Sequence, residues 1–386
     1  MIIGIDASNI RAGGGVTHLV ELLRAANPSK HGFARVIVWG GKTTLDNIDG
    51  RDWLYMVNEP LLDDSLPYRL FWQRFKLKKL AEQVGCDVLF VLGGFDLSGF
   101  KTIVTMSQNL LPFSAQEISR YSHPLEIFRF HLLKVVQSRS FKKADGVVFL
   151  TAYARDVVLK DTGSLRGKTV IIPHGINPRF SLSPRPQRRL SDFSNERPCR
   201  LVYVSVVEVY KHQWHVADAV AKLRLTGLPV VLDLIGPSGG GMNRLHEAMN
   251  RVDPEGEFIF YKGVVPYEEL HTAYASADIA IFASTCETFG MILLEAMSAG
   301  LPIACSDCSA MPEILGDAGV YFNPENSTDI ARAIHTLMDS SDLRAQLAQA
   351  AFERTQQYSW KRCADETFRF LGDIAKIQFS GNNIVE

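Results

Sequence analysis

Short apolar runs alternate with amphipathic stretches along the whole 386-residue chain. In the first half the runs are IIGID (2–6), RVIVW (35–39), CDVLFVL (86–92), KTIVTM (101–106), DGVVFL (145–150) and KTVIIP (168–173). In the second half they are RLVYVSV (200–206), VVLDLIG (230–236), EFIFYKG (257–263), DIAIFAS (278–284), PIACS (302–306) and GVYFN (319–323). Most are continuous rather than alternating, as expected for parallel strands buried on both faces. Helical patterns fall between nearly all of them, which implies βαβ units. The expected fold class is therefore α/β, with two doubly wound, Rossmann-like parallel sheets.

Residues 177–199, NPRFSLSPRPQRRLSDFSNERPC, are rich in Pro, Ser and Arg and show no periodicity. They mark a linker between a first domain, 1–176, and a second, 200–359. The chain closes with helical patterns over 327–338, 341–357 and 360–376, and residues 360–386 are set apart as a terminal helical segment.

Composition adds little until it is divided. The chain is 46% hydrophobic and 22% charged, values of an ordinary soluble globular protein. No apolar run reaches the roughly 18 residues of a membrane span, and the first 15 residues lack the layout of a signal peptide. Of the six cysteines only Cys305 and Cys308 form a CxxC, with no second pair or spaced histidines to complete a zinc site. Free thiols in a reducing cytoplasm are expected. The net charge of −1 conceals an asymmetry: residues 1–190 carry 26 Lys and Arg against 16 Asp and Glu. The first half is basic and the second acidic, which bears on partners rather than on fold.

In open parallel sheets ligands bind beyond the carboxyl ends of the strands. Four such loops carry candidate chemistry. Gly13, Gly14 and Gly15 follow the first strand and open an amphipathic helix, where backbone approaches a ligand closely and amides favour an anion. His18 stands where a dinucleotide fingerprint has its third glycine, and no Walker lysine follows, so a plain turn is equally consistent. Lys211 follows the first strand of the second half and precedes a helix, a position for a phosphate contact or for a solvated lysine. His212 and His215 are spaced three apart with no further ligand, so no metal site is expected. Gly263, Val264 and Val265 end a strand before Pro266, and their backbone groups suit the edge of a flat base.

The fourth loop is STCETFGMILLEAMSAGLPI (284–303), which sets Glu287 and Glu295 in small and apolar surroundings. Unpaired charge there costs several kcal/mol. Ligand hydroxyls would satisfy both carboxylates; a salt bridge for Glu295 and a surface cap for Glu287 are the plainer alternative.

With these residues in view, the segment 277–334 closely resembles the donor-binding region of retaining family-4 glycosyltransferases (glycosyl transferases group 1) of the GT-B fold. The resemblance continues through Gly263 to Pro266, Lys211, IIPHGINPRF (171–180) and Gly13 to Gly15. It implies two Rossmann-like domains facing a cleft. It also implies that Glu287 binds the transferred sugar, aided by the amides of Phe289, Gly290 and Met291. Glu295 would bind the ribose, Lys211 the diphosphate with Gly14 and Gly15, and the backbone at Gly263 and Val264 the base. The diphosphate would be stabilised without a metal or other cofactor, in keeping with the lack of a DxD motif.

The chain departs from that family twice. Val206 stands where many relatives have an arginine, five positions before Lys211. Gln108 and Asn109 stand where many have a His-Asp pair; as amides they are assigned to acceptor or sugar. His174, after the strand KTVIIP, is the remaining catalytic candidate of the first domain, a loop-packing histidine being the alternative.

Two segments, 68–85 and 124–146, interleave Lys and Arg with Phe, Trp and Leu. Such helices suit an anionic membrane surface, or are ordinary amphipathic helices with a solvated basic side. No nucleic-acid motif accompanies the charge. The resemblance implies a nucleotide-sugar donor and a glycan or lipid-linked acceptor, as in surface polysaccharide biosynthesis, with the cytoplasmic face of the membrane as the expected place. A sugar-nucleotide epimerase of the same fold is the nearest alternative enzyme. A non-catalytic, two-lobed nucleotide-sugar-binding protein is the other alternative.

Overall fold

A computed structural model describes residues 1–382, with side chains to residue 377. It contains two parallel sheets. The first comprises β1 (Ile2–Asp6), β2 (Arg35–Gly40), β3 (Leu54–Asn58), β4 (Val88–Val91), β5 (Ile103–Ser107), β6 (Gly146–Phe149) and β7 (Lys168–Ile171). Their order is β3-β2-β1-β4-β5-β6-β7, with every pairing parallel. The second comprises β8 (Cys199–Val204), β9 (Val230–Ile235), β10 (Ile259–Gly263), β11 (Ile279–Phe282), β12 (Ile303–Ser306) and β13 (Val320–Phe322). Its order is β10-β9-β8-β11-β12-β13, again all parallel. Both are doubly wound α/β sheets, and helices cover their faces.

Most of the continuous apolar runs are buried as their pattern requires, the edge strands β7, β10 and β13 being only partly so. β4, β6, β9, β11 and β12 are buried at every position. One strand, β3, lies outside the runs read from the sequence. It is an edge strand of the first sheet, and four of its five side chains are half-buried or exposed, although Trp53 to Val57 form a continuous apolar run.

The chain divides into two compact units. The first contains residues 1–118, 123–175 and 358–386, and the second residues 119–122 and 176–357. Within the first unit the helix Trp360–Asn382 packs on the helix Gly14–Ala25 and on β4. Its Phe370 lies against Gly146, where an added Cβ would sit 2.8 Å from the ring. Asp365 on the same helix holds Lys30 and accepts from His31 Nε2 at 3.1 Å.

Segment 177–199 is attached to the second unit by named contacts. Leu182 N donates to Ser298 O at 3.0 Å, Arg188 pairs with Asp278 at 2.6 Å and stacks on Phe193. Residues 119–122 also belong to this unit, where Arg120 grips Glu325 through two bonds of 2.7 Å. Among the described residues no helix is long and apolar enough to cross a membrane.

Candidate functional site

The loops at the carboxyl ends of β8, β9, β10 and β11 converge at the rim of the second sheet, on either side of the point where strand order reverses between β8 and β11. After β8 the chain makes a 3-10 turn, Val209–Lys211, and then His212 takes a left-handed conformation (φ 52°). That turn fixes Lys211, whose carbonyl accepts from the buried Tyr203 hydroxyl at 2.7 Å. Lys211 is only 5% exposed, a rare state for a lysine unless it is paired. Its partner is Glu287, on the loop after β11. Phe282 and Tyr210 flank the ammonium group, with ring centroids 5.3 and 5.2 Å away. Burial, and then the Glu287 charge, push the Tyr210 phenol well above its ordinary value.

Glu287 is positioned from both sides. Its amide donates to Ser309 Oγ at 3.1 Å, and Thr285 N donates to Tyr210 O at 2.9 Å, tying the β11 loop to the β8 loop. Ser309 itself holds a left-handed backbone (φ 55°) after β12. Phe289 is buried, and Gly290, at φ 89°, turns the chain into the helix Met291–Ser298. A Cβ on Gly290 would meet the Met311 methyl at 2.6 Å, so both conformation and space require glycine there. The helix begins without a side-chain cap, leaving its first turn to other partners.

Glu295 lies on that helix, 3% exposed, and accepts from the Tyr274 hydroxyl at 3.1 Å. Burial pushes its carboxyl up to about 8, while the Tyr274 bond and the Arg179 charge oppose the shift. Tyr274 packs edge-on against Phe180, and Arg179 stacks on Tyr267. The two glutamates thus have separate partners: a buried lysine for one, a phenol for the other.

At β10, Gly263 has φ 68° with open space where a Cβ would be, and Val264 beside it is exposed. The Gly263 carbonyl already accepts from Gly236 N at 2.8 Å. Val206 is half-buried and contributes its carbonyl to the Gln213 side chain at 2.9 Å.

One glycine-rich loop escaped the sequence reading: GPSGGG, 236–241, after β9. Gly236 stands at φ 142°, where a Cβ would be 2.1 Å from Ser205 O, and Gly239 abuts the Glu208 carboxylate. The signal was present, since strand, glycine run and helix follow one another here as they do at Gly13 to Gly15.

In the first unit the corresponding loop follows β1. Gly13, not Gly14 or Gly15, carries the positive φ (64°), and helix Gly14–Ala25 starts directly after it. The Gln108 amide lies beside Gly15, its oxygen 3.5 Å from the place of a Cβ, and its nitrogen reaches Met106 Sδ at 3.2 Å. Asn109 spends its side-chain oxygen on a local turn, accepting from Leu111 N at 3.0 Å.

His174, a catalytic candidate in the sequence, takes instead the packing place that was its alternative. It is buried, and its Nδ1 lies 3.0 Å from Nδ1 of His18, so one ring donates and the other accepts. Trp360 packs on both rings, with centroids 5.8 and 5.7 Å away. Burial holds His18 down to about 4 and, with His18 adjacent, holds His174 well below its usual value. Both are neutral at pH 7.

With the geometry in hand, similarity to known proteins can be stated. Residues 185–354 match the family model for glycosyl transferases group 1, and residues 12–180 match that for glycosyltransferase family 4. The chain belongs to the group 1 glycosyl transferases. It is 30% identical over 190 residues to sulfoquinovosyl transferase SQD2 of Arabidopsis thaliana, covering 48% of this chain and 35% of that protein. It is 31% identical over 167 residues to O-antigen chain mannosyltransferase B of Escherichia coli, covering 43% and 44%. The chain therefore matches well under two thirds of the length of these curated relatives.

Among solved structures, sucrose-phosphate synthase from Thermosynechococcus elongatus superposes with a TM-score of 0.75 at 18% identity, covering 99% of this chain and 100% of that one. Anabaena HepE in complex with UDP-glucose gives 0.69 at 17% identity, covering 98% and 100%. At such identities the likeness is one of fold. The group 1 chain has the GT-B architecture.

Proposed function

We propose that the protein transfers a sugar from a nucleotide-diphosphate sugar to a glycan or lipid-linked acceptor, with retention of anomeric configuration. The observation that carries this reading is the buried Lys211–Glu287 pair at the switch point of the second sheet, beside the opening of helix Met291–Ser298. A buried lysine held by a carboxylate is a ready partner for a diphosphate, and the freed carboxylate can then accept from sugar hydroxyls. The complex of Anabaena HepE with UDP-glucose supports a nucleotide-sugar donor.

In this reading Glu287 holds the sugar hydroxyls, with the amides of Phe289, Gly290 and Met291 at the helix start. Glu295 receives the ribose hydroxyls and Val264 borders the base. Gln108 and Asn109 serve the acceptor side. The bond between the anomeric carbon and the diphosphate oxygen breaks, and its electron pair leaves with the diphosphate. The acceptor hydroxyl oxygen bonds to the same face of the anomeric carbon, and its proton passes to the departing phosphate. Lys211 balances the growing negative charge, so neither a metal nor a side-chain base is assigned a step. His174, with its Nδ1 engaged by His18, serves packing.

The O-antigen chain mannosyltransferase B relative supports a place in polysaccharide assembly, which this reading puts at the cytoplasmic side of a membrane. Exposed Leu125, Phe128, Leu132 and Val135 follow one stripe of the helix Pro124–Lys143, among basic residues, and suit contact with an anionic bilayer.

The test is a panel of nucleotide sugars screened for thermal stabilisation, followed by product analysis with and without acceptor and with EDTA. Transfer that needs an acceptor and withstands EDTA is expected. Donor conversion without acceptor would instead indicate an epimerase, and binding without turnover a non-catalytic receptor. Removing the charges of Lys76, Lys78 and Lys79 should reduce co-sedimentation with anionic liposomes; unchanged sedimentation would sink the membrane assignment.

A further inference from the structure

The first sheet has its own switch point, between β1 and β4, where the loops after these strands leave the sheet in opposite directions. Two guanidinium groups stand at that crevice. Arg69, from the helix Leu66–Phe75, donates through Nη1 to Ser8 O and to Asn9 Oδ1, both at 3.2 Å. Its Nε is buried without a partner. Arg11 donates to the main-chain carbonyls of Asp63 and Asp64, at 3.3 and 2.9 Å. All these acceptors are uncharged, and among the described residues no carboxylate forms an ion pair with either arginine.

The hydrogen bonds of the acidic groups nearby go elsewhere. Asp63 spends its carboxylate on Asn58 at 2.9 Å and on the Lys42 amide at 2.6 Å. Asp6 is buried, bound by Gln73 and the Ser8 amide, and burial pushes its carboxyl up. Burial and the charge of Arg11 both lower the proton affinity of Arg69. The Asp63 carboxylate, held below its usual range by its Asn58 bond and by the charges of Arg11 and Lys42, answers Arg11. The half-buried Arg69 has no carboxylate partner among the described residues and faces a second cation, which is costly, and an anion in the crevice would relieve it. Arginine forks match the oxygens of a phosphate.

The same helix presents Tyr68, Phe71 and Phe75 to solvent, 55%, 50% and 64% exposed, at spacings of three and four. Phe71 and Phe75 touch, with centroids 5.0 Å apart, and Lys76, Lys78 and Lys79 follow exposed. An exposed aromatic ridge beside these two arginines fits a phosphate that carries an apolar chain.

We infer that Arg11 and Arg69 bind the phosphate of a lipid-linked acceptor, while Tyr68, Phe71 and Phe75 receive the first part of its chain. This rests on the transferase reading for why an acceptor is needed, but the site lies wholly in the first unit and is tested by binding alone. Buried Trp72, on the same helix, supplies a fluorescence signal, and calorimetry an independent one.

The probes are farnesyl phosphate below its micellar concentration, farnesol and glucose 6-phosphate. Farnesyl phosphate should bind at least about tenfold more tightly than either of the others, since each lacks half of the recognised chemistry. Arg69→Gln and Arg11→Gln should each weaken farnesyl phosphate by about tenfold or more; Arg11 is exposed, so its variant folds even if that of Arg69 does not. Phe71→Ser with Phe75→Ser should weaken farnesyl phosphate and leave glucose 6-phosphate unchanged. Equal binding of farnesol would remove the anion site, and equal binding of glucose 6-phosphate would remove the lipid chain. Unaltered farnesyl phosphate affinity in Arg11→Gln would overturn the proposal. Stabilisation by UDP, measured on the same variants, reports on the second unit. Its loss in the parent protein would count against the transferase reading and not against this site.

Discussion

Replacing Glu287 by Gln keeps the size and one acceptor oxygen but leaves Lys211 charged, 5% exposed and without its counter-ion. Breaking a buried ion pair on one side costs about 3–5 kcal/mol. The Glu287 side chain retains 16% exposure, so water reaches one flank and the lower end, about 3 kcal/mol, is expected. For a unit in the 150–250-residue class, 1 kcal/mol moves the melting temperature by about 2–4 °C, so the second unit should melt about 6–12 °C lower. Lys211→Met should cost a similar amount, since it strands Glu287. The double variant, Lys211→Met with Glu287→Gln, should be more stable than the sum of the two losses allows, with a coupling of about 2–3 kcal/mol.

Calorimetry of the four proteins closes this cycle. UDP then ties the pair to its proposed ligand. A diphosphate supplies the negative charge that Glu287→Gln lacks, so UDP should raise the melting temperature of this variant more than that of the parent, although sugar transfer is lost. Two outcomes would refute the reasoning: additive single losses, or a UDP response that is no larger in the variant. Transfer near the parent rate would separately remove Glu287 from the site.

Glu295 gives a prediction in pH. Its folded value of about 8 exceeds the ordinary 4.5, so its contribution to stability is present below about pH 4.5 and is lost as pH rises through 8. Glu295→Gln should flatten that decline in denaturant titrations between pH 5 and 9, and ribose binding, by favouring the carboxylate, should release protons near pH 7 in calorimetry across buffers of different ionisation enthalpy. The histidine pair has the opposite sign: His18, held down to about 4, contributes stability above pH 6.5 that is lost as pH falls through 4. Phenylalanine at position 18 should make the first unit less acid-sensitive by circular dichroism, and an unchanged acid midpoint would argue against the pair as its cause. Gly236→Ala places a Cβ 2.1 Å from Ser205 O and should lower stability by at least about 2 kcal/mol, measured by urea unfolding.

Twelve of the thirteen strands could be read from the sequence, most of them because both faces of an interior parallel strand are buried and the run of apolar residues is itself the signal. The edge strand β7 was read although none of its residues is buried. β3 was missed although WLYMV (53–57) is a run of the same kind, and its exposed edge position shows that such a run need not be a buried one. At the rim, the types and spacing of Lys211, Glu287 and Glu295 were legible. Their partners were not, because these come from distant positions: Lys211 lies 76 residues before Glu287, and Tyr274 lies 21 residues before Glu295. His174 illustrates the limit most directly. A histidine after a strand reads as a cleft residue, and only the tertiary pairing with His18, 156 residues away, shows it turned inward. The left-handed turn at His212, which aims Lys211, carries no glycine to mark it, and positive φ is uncommon for any other residue.

The helix Trp360–Asn382 has a consequence for the order in which the protein is made. The strands of the first unit emerge from the ribosome first, but the helix that covers Gly146 and the helix Gly14–Ala25 emerges after every strand of the second unit. Nascent chains ordinarily complete their domains from the amino end. Here the earliest-synthesised sheet must wait with an uncovered apolar face until the second unit has been translated. That interval, rather than the equilibrium stability of either unit, is when chaperone binding and aggregation should be sought.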